Sequence, residues 1–142
     1  MNGYQIRRKP MQVSIESICK AHGKLAEFET AIKDGGEFHL RLEQDGYMPL
    51  VIEHIGGGEV SIAHYFTQNG DAMRDPEIVF QVVSGKHPLN WRPVEITQDP
   101  MGIYRRRTIT TAHQFDASVA GLVRIWAHNL KHQGWDEARE TR

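Results

Sequence analysis

The sequence predicts an α+β fold: an antiparallel meander sheet of four to six strands with one helix before it and one after it. Three observations predict this. Apolar residues recur at helical spacing near both ends of the chain. Between them, apolar and polar residues alternate with a period of two. Glycine-bearing turns separate these middle segments, and turns that short join antiparallel strands, because a parallel pair needs a long crossover. Both helices are expected on the sheet face that carries Phe38, Leu40 and Leu42, with Phe28 and Trp126 in one core.

Residues 1–12 include Arg7-Arg8-Lys9 and Pro10 and read as a flexible basic arm. Ser14 is placed to cap a helix over 14–33, where Ile15, Ile18, Cys19, His22, Leu25, Phe28 and Ile32 form an apolar stripe. Gly23 lies inside that stretch as a candidate break. Asp34-Gly35-Gly36 ends it. From Glu37 onward Phe38, Leu40 and Leu42 alternate with His39, Arg41 and Glu43 as a strand. Asp45-Gly46 turns the chain into a second strand through Leu50 and Ile52, and Gly56-Gly57-Gly58 turns it into a third over 59–67. Asn69-Gly70 predicts a tight type I′ hairpin. A fourth strand is expected over 78–83, and two more over 91–97 and 103–109, separated by Asp99-Pro100-Met101-Gly102. Thr111 and Gln114 have capping-box form ahead of a helix bearing Phe115, Val119, Leu122, Val123, Trp126 and Leu130. Gly134 stops it, and residues 135–142 read as a charged tail.

With 142 residues, 39% hydrophobic and 25% charged, the chain reads as one domain that can bury a core without staples and is too balanced for disorder. A formal charge of −1 gives no global attraction to nucleic acid or to a membrane surface. The single cysteine, Cys19, cannot form an internal disulfide and reads as a buried hydrophobe on the first helix. The first residues lack the apolar run of a secretory leader, and no segment approaches the ~20 apolar residues that span a bilayer. The expected location is cytoplasmic, with no membrane partner and no cofactor.

The stretch SIAHYFTQNGDAMRDPEIVF, residues 61–80, concentrates polar chemistry around one turn. With Asn69-Gly70 as the turn, Gln68 opposes Asp71, Tyr65 opposes Arg74 and His64 opposes Asp75. A carboxylate beside an imidazole fixes its tautomer and raises its pKa, as a general base or a metal ligand requires. The same pairing also serves simply to lock a loop. Continuing the register puts Ile62 against Glu77 and moves Ile78 and Phe80 off the core face. Pro76 cannot donate to the ladder, so a bulge is expected at Asp75-Pro76. His64 is expected to bond Asp75, or Asp71 if the register shifts, leaving Arg74 and Gln68 facing outward.

This stretch resembles the signature of a small uncharacterised domain family met in phages, plasmids and integrative elements. Its members carry His-Tyr, two variable residues, Gln-Asn-Gly-Asp, a Met and then Asp-Pro-Glu before an apolar strand. The likeness extends upstream through MPLVIEHIGGGEVSIAHY and weakly downstream to Trp91-Arg92-Pro93 and Gly102-Ile103-Tyr104. The resemblance implies a context rather than an activity: an accessory gene on a mobile element, whose neighbours act in anti-defence, gene control or conjugation.

Other motifs are weaker. His128 and His132 share a helix face at a spacing that can bind zinc, but Asn129 stands where a metalloprotease needs Glu. Arg105-Arg106-Arg107 forms a basic patch without the module of a nucleic-acid reader. Gly56-Gly57-Gly58 joins two strands and opens no helix, so it is not a phosphate loop. The expected function is therefore a non-enzymatic binding protein acting on a host macromolecule through Tyr65, Gln68, Asn69, Arg74, Arg105 and Arg107. A protein partner is favoured, nucleic acid is the second choice, and a homodimer is a further option. One alternative is a hydrolase or nuclease centred on His64, Asp71, Asp75 and Glu77, holding Mg²⁺ or Mn²⁺ rather than zinc. The other is a structural oligomer subunit.

Overall fold

The computed structural model describes residues 9–83 and 90–142. Arg7 and Arg8 of the expected basic patch lie outside the described residues. The fold is α+β: helices α1 (Pro10–Ala21) and α2 (Leu25–Asp34) precede strands β1 (Phe38–Glu43), β2 (Leu50–His54), β3 (Glu59–Gln68), β4 (Asp71–Val83), β5 (Asn90–Gln98) and β6 (Ile103–Arg106). Helix α3 (Ala112–His132) and a short strand β7 (Arg139–Thr141) complete it. All seven strands belong to one antiparallel sheet in the order β6-β5-β4-β3-β2-β1-β7.

The chain departs from the sequence expectation at both ends. The first helix starts four residues early, with Pro10 in its first turn, where a missing N–H costs nothing. Met11 and Gln12 are buried in it rather than lying in an arm. Ser14 is not a cap; its hydroxyl donates to the Ala127 carbonyl of α3 at 2.8 Å and ties the two helices. The break at Gly23 is real, since its φ of 70° is one that L side chains rarely adopt. At the other end, residues 135–142 are charged but ordered. Trp135 is fully buried, and β7 pairs with β1, which raises the strand count among the described residues to seven.

One core cluster gathers Ile15 and Ile18 of α1, Phe28 of α2, and Trp126 and Leu130 of α3 with Leu40, Ile52, Ile62, Ile78 and Phe80 of the sheet. Phe28 meets the Phe38 ring edge-on, with centroids 5.0 Å apart. No described helix is long and apolar enough to cross a membrane.

Candidate functional site

The β3–β4 hairpin begins at a turn whose chemistry the sequence dictates. Asn69 and Gly70 have φ of 52° and 84°, the two positive values that a type I′ turn needs. Gln68 then faces Asp71, Thr67 faces Ala72, Phe66 faces Met73 and Tyr65 faces Arg74. The register shifts between Ala63 and Tyr65, so that His64 stands opposite the Asp75-Pro76 pair. That is the expected bulge, and the Asp75-Pro76 peptide within it is cis. Beyond it Ile62 pairs with Ile78 and Val60 with Phe80, which returns the apolar residues to one face.

The bulge separates the residues that the sequence pattern grouped. His64 is buried on the core side between two indoles, its ring centroid 5.6 Å from Trp126 and 5.5 Å from Trp135. Its Nδ1 lies 3.1 Å from the Met48 carbonyl, so the expected bond to Asp75 or Asp71 is replaced by one to the β2 approach. Burial pushes the imidazole pKa down; the Met48 and Pro49 carbonyls and the more distant Asp75 charge oppose this without overcoming it. Asp71 is exposed beside the turn, and Asp75 lies half-buried in the bulge.

Glu77 belongs to a different cluster. Arg74 donates to its Oε1 at 3.1 Å, and the buried Ser61 hydroxyl donates to its Oε2. Arg74 also donates from its backbone N–H at 2.7 Å and from Nε at 3.3 Å to Asp99 Oδ2. Asp99 opens the turn after β5, and the Arg74 backbone N–H holds its carboxyl below the usual carboxylate range. Desolvation, with Glu77 and Glu53 nearby, pushes the Tyr65 phenol up. Arg74 therefore does not face outward as a free contact residue; it fastens the base of the hairpin to the sheet. Because the Arg74 side chain is 39% exposed, each of its pairs contributes only about 1 kcal/mol or less.

Beyond this fastening the hairpin stands clear of the sheet. Pairing with β2 stops at His64 and pairing with β5 stops at Glu77. Thr67, Gln68, Asn69, Gly70, Asp71 and Ala72 are all exposed. The tip of the arm, residues 67–72, is exposed and is paired within the hairpin itself. Among the described residues no three His, Cys, Asp or Glu side chains come together as a metal ion would need.

The family match extends over most of the chain. A domain of unknown function, DUF6908, matches residues 13–135. The chain belongs to the DUF6908 family. The matched region runs from the first turn of α1 through the hairpin to the buried Trp135. Comparison with curated proteins and with solved structures gives no match.

The remaining sequence candidates fall elsewhere. Arg105 is exposed on β6, and Arg106 reaches Glu95 and Glu59. Arg107 makes a two-pronged bond to Asp116 of α3, at 2.9 and 3.2 Å. His128 and His132 lie tilted to each other, with ring centroids 4.4 Å apart, on the exposed side of α3. The Arg74–Asp99 clasp was missed because the two residues are 25 positions apart, and Asp99 reads in sequence as an ordinary turn residue.

Proposed function

We propose that the chain acts by binding and not by catalysis. It is a cytoplasmic accessory protein of a phage or other mobile element, and its β3–β4 arm engages a host protein in an anti-defence or regulatory role. The observation that carries this reading is the dispersal of the four candidate catalytic groups. His64 lies in the core, Glu77 is held by Arg74 and Ser61, Asp75 lies in the bulge, and Asp71 stands at the projecting tip. Catalytic groups converge on a concave site, whereas a rigid projection with polar tips suits recognition. Gln68, Asn69 and Asp71 are the contact residues. Tyr65 and Arg74 position them.

Two measurements test the reading together. The purified protein is expected to show no nuclease, phosphatase or peptidase turnover with Mg²⁺, Mn²⁺ or Zn²⁺. A photoreactive side chain at position 68 is expected to capture one defined protein in the producing cell, and Asn69→Gly/Asp71→Ala, which keeps a residue at ease with the positive φ of the turn, is expected to abolish that adduct with the fold unchanged. Metal-dependent turnover that vanishes in His64→Ala/Asp75→Ala would overturn the reading, as would a crosslink only to a second copy of this chain.

A further inference from the structure

A second surface, remote in sequence from the arm, has the chemistry of a ligand site. A cleft of about 490 Å³ opens where α1, β5 and α3 meet, within the size range of small-molecule sites. Pro93, Ala120 and Val123 supply the accessible apolar lining, and the buried Met11, Phe80 and Trp91 back it. Four cations line it as well, Lys9, Arg92, Arg107 and Arg124, against a single carboxylate, Asp116. Asp116 is taken by Arg107 in the two-pronged bond described above. No salt bridge engages Lys9, Arg92 or Arg124 among the described residues. The clustering is out of proportion to a chain whose formal charge is −1. Elsewhere on the sheet, Arg41, Arg74 and Arg106 each pair with a neighbouring carboxylate. Arg107, and with it Arg92, holds the Asp116 carboxyl below its usual range, so the cleft sets four cations against one carboxylate that two of them share.

We infer that this cleft binds a nucleotide, its phosphate held by Arg92, Arg124 and Lys9 and its base and sugar lying over the apolar lining. Each requirement has a residue. Guanidinium groups present planar, paired donors that match phosphate oxygens. The Arg107–Asp116 clasp spans from the end of β6 to α3 and fixes the wall between them. Pro10 and Met11, the first residues of α1, line the same space, and α1 has no acidic residue in its first turn to oppose an anion. The phosphate ester has two possible sources, a free nucleotide or a nucleotide within single-stranded nucleic acid. The inference does not rest on the arm's proposed role and stands or falls separately.

The test uses the whole chain and three probes: ATP and inorganic phosphate by calorimetry, and a fluorescent single-stranded oligothymidylate by anisotropy. Binding of ATP alone identifies a free nucleotide. Binding of the oligonucleotide, with a log–log salt slope of about −2 for three cations, identifies nucleic acid. In either case Arg92→Ala/Arg124→Ala is expected to weaken binding by about tenfold or more. A control that removes the same charge elsewhere, Lys20→Ala/Lys131→Ala, is expected to leave it unchanged. Asp116→Asn, which removes the cleft's carboxylate but keeps a polar group for Arg107, is expected to tighten binding by about two- to threefold. That variant also decides the matter should the double arginine variant fail to fold. Absence of binding by ATP and the oligonucleotide at about 1 mM overturns the inference. Inorganic phosphate binding as tightly as ATP, an equal loss in the control, or weaker binding by Asp116→Asn overturns it as well.

Discussion

Replacing Trp135 with alanine should produce one of the largest stability losses available in this protein, although the residue lies in what reads as a charged tail. The indole is fully buried. It meets the Tyr47 ring edge-on at 5.7 Å and lies 5.5 Å from the His64 ring, and its Nε1–H donates to Gln133 Oε1 at 3.1 Å. Truncating a buried Trp costs about 3–5 kcal/mol, and the lost hydrogen bond adds about 1 kcal/mol. The void would open beside His64, the core-facing residue at the bulge, so collapse around it must also disturb the base of the arm. Against a typical total of about 5–15 kcal/mol, a loss near 5 kcal/mol lowers the melting temperature by roughly 15 °C in a chain of this length. Urea titration followed by circular dichroism measures it directly. A Trp135→Ala protein that unfolds cooperatively within about 1 kcal/mol of the parent would refute the placement of the C-terminal segment in the core.

Two further outcomes follow from buried groups. The imidazole of His64 has a pKa below the ordinary 6.5 because burial favours its neutral form, so protons bind the unfolded chain first. Its contribution to stability is complete above about pH 6.5 and declines as the pH falls through the lower folded value. His64→Phe should flatten the dependence of the urea midpoint on pH between about 7.5 and 5, and an unchanged slope would place the titration elsewhere. The thiol of Cys19 is pushed up to about 12 by burial, with Glu16 adding to the shift. At pH 8 only about one thiol in ten thousand is ionised. Iodoacetamide should therefore label Cys19 in urea and not in the native protein, and equal rates in the two states would contradict its burial.

Much of the fold was legible because local signals agreed. The two-residue alternation of Phe38, Leu40 and Leu42, the Asn69-Gly70 turn and the stripe from Phe115 to Leu130 each need only neighbours in sequence to be read, and β1, the hairpin and α3 stand where those signals put them. Gly23 likewise announced the break between α1 and α2 by its position inside a helical stripe. What was not legible depends on partners far along the chain. β7 spans three residues, and its pairing with β1 joins Arg41 to Thr141 and Glu43 to Arg139, a contact that no periodicity foretells. Trp135 stands alone among charged neighbours, and one apolar residue has no period. The cleft cations come from four separate stretches of the chain, so that Lys9 and Arg124 meet only after folding.

The hairpin shows how far parity alone could have carried the reading. Val60, Ile62 and His64 are alternate residues of one strand, so they share a face, and the first two are core residues. That places the imidazole in the core whatever β4 does. On β4 the same logic, applied backward from Ile78 and Phe80, places Glu77 on the opposite face. The only way to keep His64 and Glu77 together was a regular register, and Pro76 with the apolar mismatch beyond it had already excluded that. The bulge that repairs the core face is therefore the same feature that takes the acid–imidazole cluster apart. It leaves His64 to the Met48 carbonyl and two indoles, and Glu77 to Ser61 and Arg74. A residue pattern that resembles a catalytic set becomes, once the pleat is followed through the bulge, two structural clusters on opposite sides of one sheet. Of the grouped residues, those at the exposed tip keep their polar side chains on the surface.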